Sequence, residues 1–425
     1  MFYIGLKSSE LKRILIISYY WPPAGGVVVR RVLALAKYLP EHGFEPIVLS
    51  ASGEYPWLYL DKTAEIPGVE VYRVDAGDLN RLFSPNKTPL GVRLKTAFRA
   101  LFRTDYMADW VDRALPVAER IIREREIDIV LVTSPPFSLL RIIAEFKRSF
   151  PNVKTVADLR DVFYNLRTDN IIQSARRSIA LPKIERYLRS ADIIVGVSAG
   201  FEKELGGFGP PFYTVTNGFD CDIASETEYK KGEYFQIVHA GSFPSRGRTP
   251  EFILKGFWGA CRENSDFGEK TRLIFAGVKP DEILDIVGRF PNIYCNIELP
   301  GMLSYNESMR LQKTCDVNLL VETIPASRGG DTVIPLKLFE QIASGRPVLA
   351  TVPTDGVAAN MVREMELGLV CHYDDTCCIK TALLTLFDEW VSDKLRRGVD
   401  SAMAEKYRFG NCIARYAGVL KELVS

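Results

Sequence analysis

Short apolar runs bounded by polar and turn residues recur along this chain, and between them the apolar positions shift to helical spacing. Residues 13–18 form the first run and predict a buried parallel strand. A loop over 19–26 follows, then a helix over about 28–39, then Gly43, then a strand at 46–50. That is one βαβ unit, with its glycines at the carboxyl end of the first strand, the usual ligand edge of an open α/β sheet. Further strands are predicted at 127–132, 153–157 and 193–197, with helical patterns between them, which argues for a doubly wound parallel sheet. Residues 204–211, rich in Gly and Pro, break the pattern. Alternation resumes with strands at 235–241, 273–277, 293–298, 317–321 and 348–350, then helices over 379–391, 393–406 and 411–424. Two α/β domains are therefore expected, 1–210 and 211–407.

Composition agrees and removes several classes. A chain of 425 residues can bury two full cores, and 47% hydrophobic with 25% charged residues is the balance of a soluble globular protein. No apolar run reaches the length of a membrane span and residues 1–12 lack a signal-peptide core, so the expected location is cytoplasmic, with any membrane contact peripheral. All eight cysteines lie between Cys221 and Cys412 without a Cys-x-x-Cys pair, and the three histidines are scattered, which argues against a zinc cluster. Cys377 and Cys378 read as half-buried helix thiols rather than a redox pair. The net charge of +1 hides an asymmetry: residues 1–206 carry 30 basic against 24 acidic side chains, a net of +6, leaving 24 against 29, a net of −5. A basic first half suits an anionic partner; solvated charges placed by chance fit almost as well.

Six stretches could carry chemistry, four of them outside the second domain's strand-end loop and its 334–350 segment. The loop with Gly25 and Gly26 is not a Gly-x-Gly-x-x-Gly fingerprint, so it offers little to a dinucleotide and can be a plain turn. Asp158 and Asp161 flank Arg160 just past a strand; the two carboxylates could orient an acceptor hydroxyl or form an ion-pair network. Asp220-Cys221-Asp222 has the look of an Asp-x-Asp metal motif but lies in a turn beside the domain boundary, and reads as coincidence. Residues 79–104 contain six basic and no acidic side chains. Within them Leu94, Ala97, Phe98, Leu101 and Phe102 share a helical face flanked by Arg93, Lys95, Arg99 and Arg103. Such a helix can lie on an anionic membrane or pack on its own domain with a solvated basic edge.

The most informative stretch is 334–350. Pro335 suits the first turn of a helix, and Leu336, Phe339, Ile342 and Ala343 make an apolar face. Gly345 can supply a left-handed C-cap before Pro347 and a buried strand. Lys337 and Glu340 fall one turn apart where the helix dipole favours an anion; they suit a phosphate and a sugar hydroxyl, or an ordinary surface ion pair. In the second domain's first strand-end loop, Gly241 followed by Arg246 and Arg248 suits a diphosphate through backbone amides and charge-assisted bonds.

Pro-x-Lys-x-x-Glu followed by Gly-Arg-Pro-Val resembles the nucleotide-sugar loop and helix of family 4 retaining glycosyltransferases, the glycosyl transferases group 1 with the GT-B fold. The Pro-Pro-Ala-Gly-Gly loop with Arg30-Arg31 is similar to a polysaccharide-biosynthesis subgroup. The resemblance covers essentially the whole chain. It implies two Rossmann-like domains facing a cleft, with the helix over 408–425 returning to the first. It implies a nucleoside-diphosphate-sugar donor held by Gly241, Arg246, Arg248, Gly301, Met302, Thr332, Pro335, Lys337 and Glu340. Glu340 would take the ribose, while Lys337 and an arginine such as Arg248 would stabilise the leaving diphosphate. Gly25 and Gly26 would line the acceptor side. Where the family often has a Glu facing the sugar this chain has Thr332, and where it has a donor-contacting His the region holds Asp158 and Asp161, which stand as catalytic candidates.

The resulting expectation is a sugar transfer to an acceptor hydroxyl, on a lipid-linked acceptor in cell-surface polysaccharide assembly. It involves no metal or other cofactor, no nucleic acid, and possible membrane contact through 92–103. The rivals are a GT-B sugar-nucleotide epimerase or hydrolase, and a non-catalytic nucleotide-sugar-binding subunit.

Overall fold

The computed structural model describes residues 11–52, 60, 66–77, 104–161, 171–220, 229–243, 249–324, 331–396, 398 and 401–425, without the side chains of 171–176 and 401. The chain divides into two units: Met1–Asn217 with Phe409–Ser425, and Gly218–Arg408.

In the first unit β1 (Lys12–Ile17), α1 (Val27–Tyr38), β2 (Phe44–Ser52), β3 (Glu70–Asp75), α2 (Ala108–Glu124) and β4 (Ile129–Ser134) come first. Then follow α3 (Arg141–Ser149), β5 (Lys154–Leu159), α4 (Ile171–Arg189), β6 (Ile193–Gly196), α5 (Gly200–Leu205) and β7 (Phe212–Thr214). The seven strands form one parallel sheet in the order β3-β2-β1-β4-β5-β6-β7. Every residue of β4 is buried, as is β1 from Ile14 onward. Covered on both faces, such strands need no polar alternation, which is why Ile14–Ile17 and Ile129–Val132 read as continuous apolar runs. The Gly-Pro cluster at 204–211 spans the end of α5 and the turn before β7, inside this unit. The division falls at 217/218 and not at 210/211, because β7 completes the first sheet.

The second unit runs through β8 (Phe235–Ala240), α6 (Glu251–Glu263), α7 (Ser265–Lys270), β9 (Thr271–Ala276), α8 (Pro280–Val287), β10 (Ile297–Gly301) and α9 (Tyr305–Thr314). It continues with β11 (Val317–Val321), α10 (Leu336–Ser344), β12 (Val348–Val352), α11 (Val357–Glu364), β13 (Gly368–His372), α12 (Thr376–Val391) and α13 (Ser401–Glu405). Its sheet is again parallel, in the order β10-β9-β8-β11-β12-β13. One core layer packs α6 and α12 through Phe257, Phe387 and Trp390; the other packs α10 and α11 through Leu338, Phe339 and Val362. The chain closes with α14 (Phe409–Val424), grouped with the first unit.

Both sheets reverse strand order beside their first strand, between β1 and β4 and between β8 and β11, and ligands of open α/β sheets bind at that switch point. Local differences from the sequence reading have physical causes. β10 begins at Ile297 because residues 294–296 wind into a 3-10 turn. The helix expected over 393–406 is interrupted by a left-handed turn at Asp393 (φ 57°) and shrinks to α13. Cys378 is disulfide-bonded to Cys371 on β13, leaving Cys377 as an exposed thiol. Among the described residues no helix is long and apolar enough to cross a membrane.

Candidate functional site

The carboxyl edge of the second sheet is built from three strand-end glycines. Gly241 after β8, Gly277 after β9 and Gly301 at the end of β10 all have left-handed φ, 121°, 80° and 77°. They are laced together: the Gly241 N–H donates to the Ala276 carbonyl at 2.7 Å, and the Gly277 N–H to the Gly301 carbonyl at 2.7 Å. A Cβ on Gly277 would lie 3.1 Å from the Gly241 Cα, so the edge closes this tightly only without side chains. Met302, next along, is 72% exposed.

Onto this edge comes the start of α10. Pro335, with φ −60° and ψ 137°, caps the helix from outside rather than opening its first turn, and helical geometry starts at Leu336. Lys337 is thus the second helical residue, and its side chain lies across Gly241. A Cβ on that glycine would come within 2.4 Å of the lysine Cε and 2.6 Å of Nζ. Nζ donates to the Ser242 carbonyl at 3.4 Å and lies 3.2 Å from Nε2 of His239, a fully buried residue of β8. Glu340 follows one turn on, half-buried, and Thr332 is buried upstream. The other half of the motif is scaffold. Gly345 supplies the left-handed C-cap (φ 68°). Arg346 donates to the carbonyls of Cys315 (2.8 Å) and Asp316 (3.2 Å) and lies over the Tyr229 ring, pinning the helix to the base of β11. A helix N-terminus carrying a lysine over an all-glycine strand end offers positive charge and close backbone approach, the requirements of a diphosphate.

In the first unit Asp158 takes the ion-pair reading of the two open to it. It lies within β5, fully buried, and its carboxylate is saturated. Arg31 of α1 donates from Nε (2.9 and 3.1 Å) and Nη2 (2.8 Å), Thr133 of β4 at 2.9 Å, and Tyr416 of α14 at 3.1 Å. The remaining arginine nitrogen donates to the carbonyls of Val215 (3.0 Å) and Thr216 (3.2 Å). Burial pulls the Arg31 pKa down most strongly, but the charge and hydrogen bonds of Asp158, with smaller help from Tyr416 and Cys412, together outweigh it and the net shift is upward; burial and then Asp158 push the Tyr416 hydroxyl well above its ordinary value. Asp158 is thus the centre of a buried ion pair, the second of the two roles its sequence position allowed. Asp161, half-buried, stands just beyond β5. Between them the Arg160 guanidinium donates to the carbonyls of Val28 and Pro135, and burial depresses its pKa. Arg160 thereby braces the start of α1. Gly26, exposed with φ 73°, is the N-cap of that helix, and Gly25 before it is buried.

Arg246, Arg248, Cys221, Asp222 and the basic stretch 92–103 lie outside the described residues. The structure brings Gly241, Lys337 and, through Gly277, Gly301 together on one edge. His239 was missed because a histidine inside an apolar run carries no signal of its own; only its place one strand from α10 gives it meaning.

Residues 25–216 match the family model described as a glycosyl transferase 4-like domain. No curated protein matches the chain in sequence. Solved structures match over nearly the whole length. One is an E. coli structure described as trehalose-6-phosphate bound with UDP-2-fluoro glucose (11% identity, 97% of this chain, 99% of that one, TM-score 0.63). Another is the UDP-forming α,α-trehalose-phosphate synthase of Burkholderia xenovorans in complex with glucose-6-phosphate (13%, 97% and 100%, 0.65). A third is TarM (9%, 97% and 99%, 0.63). At these identities the likeness is one of fold: two parallel-sheet Rossmann-like units of the GT-B class, glycosyltransferase-like in architecture.

Proposed function

We propose that this chain is a retaining glycosyltransferase that moves a sugar from a nucleoside-diphosphate sugar to an acceptor hydroxyl. The observation that carries this reading is the Lys337 side chain laid across Gly241 at the start of α10, beside the strand-order switch of the second sheet. The diphosphate would lie on that glycine edge and helix N-terminus, with Glu340 accepting from the ribose hydroxyls and Arg246 or Arg248 reaching the phosphates. The acceptor oxygen attacks the anomeric carbon, the bond from that carbon to the diphosphate oxygen breaks on the same face, and the acceptor proton passes to the diphosphate. Negative charge grows on the leaving group, so fixed positive charge there lowers the barrier without a metal. The UDP-sugar analogue and the glucose-6-phosphate in the two trehalose-phosphate structures support a donor and acceptor of this chemistry. For the acceptor we favour a lipid-linked glycan of cell-surface polysaccharide assembly.

The test is a screen of UDP-, GDP- and ADP-sugars for binding and turnover, repeated with Glu340→Ala. Loss of hydrogen bonds to a charged group predicts a deficit of about 1.5–3 kcal/mol in donor binding, roughly tenfold to a hundredfold. Unchanged affinity in the variant removes the ribose assignment. Free sugar released without an acceptor would favour the epimerase or hydrolase reading, and binding without turnover a non-catalytic subunit.

A further inference from the structure

We propose that His239 is a positioning residue that holds the Lys337 ammonium over Gly241 in the orientation a diphosphate requires; this rests on the donor-site reading above. The imidazole is fully buried and leaves few choices. Its Nδ1 lies 3.1 Å from the Leu319 carbonyl on the neighbouring β11, an oxygen that can only accept. Nδ1 therefore carries the hydrogen, and in the neutral ring Nε2 carries the lone pair. That lone pair faces the Lys337 ammonium at 3.2 Å. The ring itself is fixed by stacking on Phe243, with centroids 4.4 Å apart and planes 14° from parallel. Leu319 is doubly held, since Gln341 of α10 also donates to its carbonyl at 3.2 Å. The carbonyl and the imidazole thus span the switch point, β11 to β8 to α10, and end on the lysine.

A lysine has four rotatable bonds and a compact, strongly hydrated charge, and unrestrained it would sample many positions. The His239 acceptor and the Ser242 carbonyl select one, against the only residue type that leaves room for it. His239 need not touch the donor; its effect passes through Lys337, and binding is stronger when the cation is already in place.

The experiment uses the full chain and whichever of UDP, GDP and ADP binds it best by calorimetry. His239→Phe keeps a stacked ring, removes both ring nitrogens and with them the acceptor, and leaves the Leu319 carbonyl its donor from Gln341. It should weaken nucleoside-diphosphate binding about fivefold to tenfold, the scale of one charge-assisted hydrogen bond. His239→Gln places an amide oxygen where Nε2 was and should restore most of the affinity. Lys337→Gln should weaken binding at least as much, and adding His239→Phe to it should cost nothing further. Gly241→Ala, which pushes the lysine away, should behave like Lys337→Gln. If His239→Phe binds as wild type while Lys337→Gln does not, or if the two losses multiply in the double variant, the inference is overturned and the donor site stands. If Lys337→Gln itself binds as wild type, or no nucleoside diphosphate binds, the donor-site reading fails with it.

Discussion

Changing Asp158 to Asn leaves Arg31 buried, charged and without its counterion. In the native chain three arginine contacts of 2.8–3.1 Å end on that carboxylate, and the arginine is 2% exposed, so water cannot replace what is removed. Breaking one partner of such a pair costs about 3–5 kcal/mol. For a unit of this size each kcal/mol moves the midpoint about 2–4 °C, so the first unit should melt roughly 6–20 °C lower. Differential scanning calorimetry of the whole chain measures this, since the second unit contains neither residue. Arg31→Met combined with Asp158→Asn removes the stranded charge and should melt above Asp158→Asn alone. A single variant within about 2 °C of wild type would refute the reasoning, because that shift is below 1 kcal/mol on the same scale. If that stable variant also lost sugar transfer, Asp158 would be a reacting group and not a structural one.

Tyr416 has a raised pKa in the folded chain, so the unfolded chain loses that proton first. Its contribution is complete below the ordinary tyrosine value of about 10 and is lost as pH climbs from there towards the folded value. Tyr416→Phe should flatten the fall in melting temperature between about pH 9.5 and 11, and an unchanged slope would remove the tyrosine from the linkage. The basic residues Arg93, Lys95, Arg99 and Arg103 would each contribute about 1 kcal/mol near an anionic bilayer. The chain should co-sediment with anionic but not neutral vesicles, release at about 1 M salt, and fail to bind with all four changed to Glu. Wild type that ignores anionic vesicles at low salt would point to a soluble acceptor.

The elements most legible in the sequence were those whose pattern is local. β11 is an apolar run interrupted only by Asn318, and it spans the same five residues in the structure. Gly345 announces its left-handed cap and Pro335 the beginning of α10 to within one position. β3 was harder, because an edge strand with mostly half-buried or exposed residues has no apolar run to show. The site residues divide by a different principle. Lys337 and Gly241 were identifiable because each sits in a recognisable loop or helix start. Asp158 kept two readings because Arg31 is 127 positions away and Tyr416 is 258 away. A carboxylate near a strand end looks the same in sequence whether it faces a substrate or an arginine. Only the packing distinguishes them.

The return of α14 to the first unit also bears on synthesis. Gly218–Arg408 is one continuous stretch and can fold as soon as it has been made, whereas the first unit lacks a component until residues 409–425 appear. Until then the Arg31–Asp158 pair lacks Tyr416, which bonds the carboxylate and lies under the guanidinium. The two points where the chain changes unit are held side by side, with Phe219 bridged to Arg408 and Asn217 accepting from Cys412. The second unit therefore has the layout of an insertion, entered and left through one door. A ribosome-bound chain stalled before residue 409 should carry a protease-resistant second unit and a first unit still open to digestion.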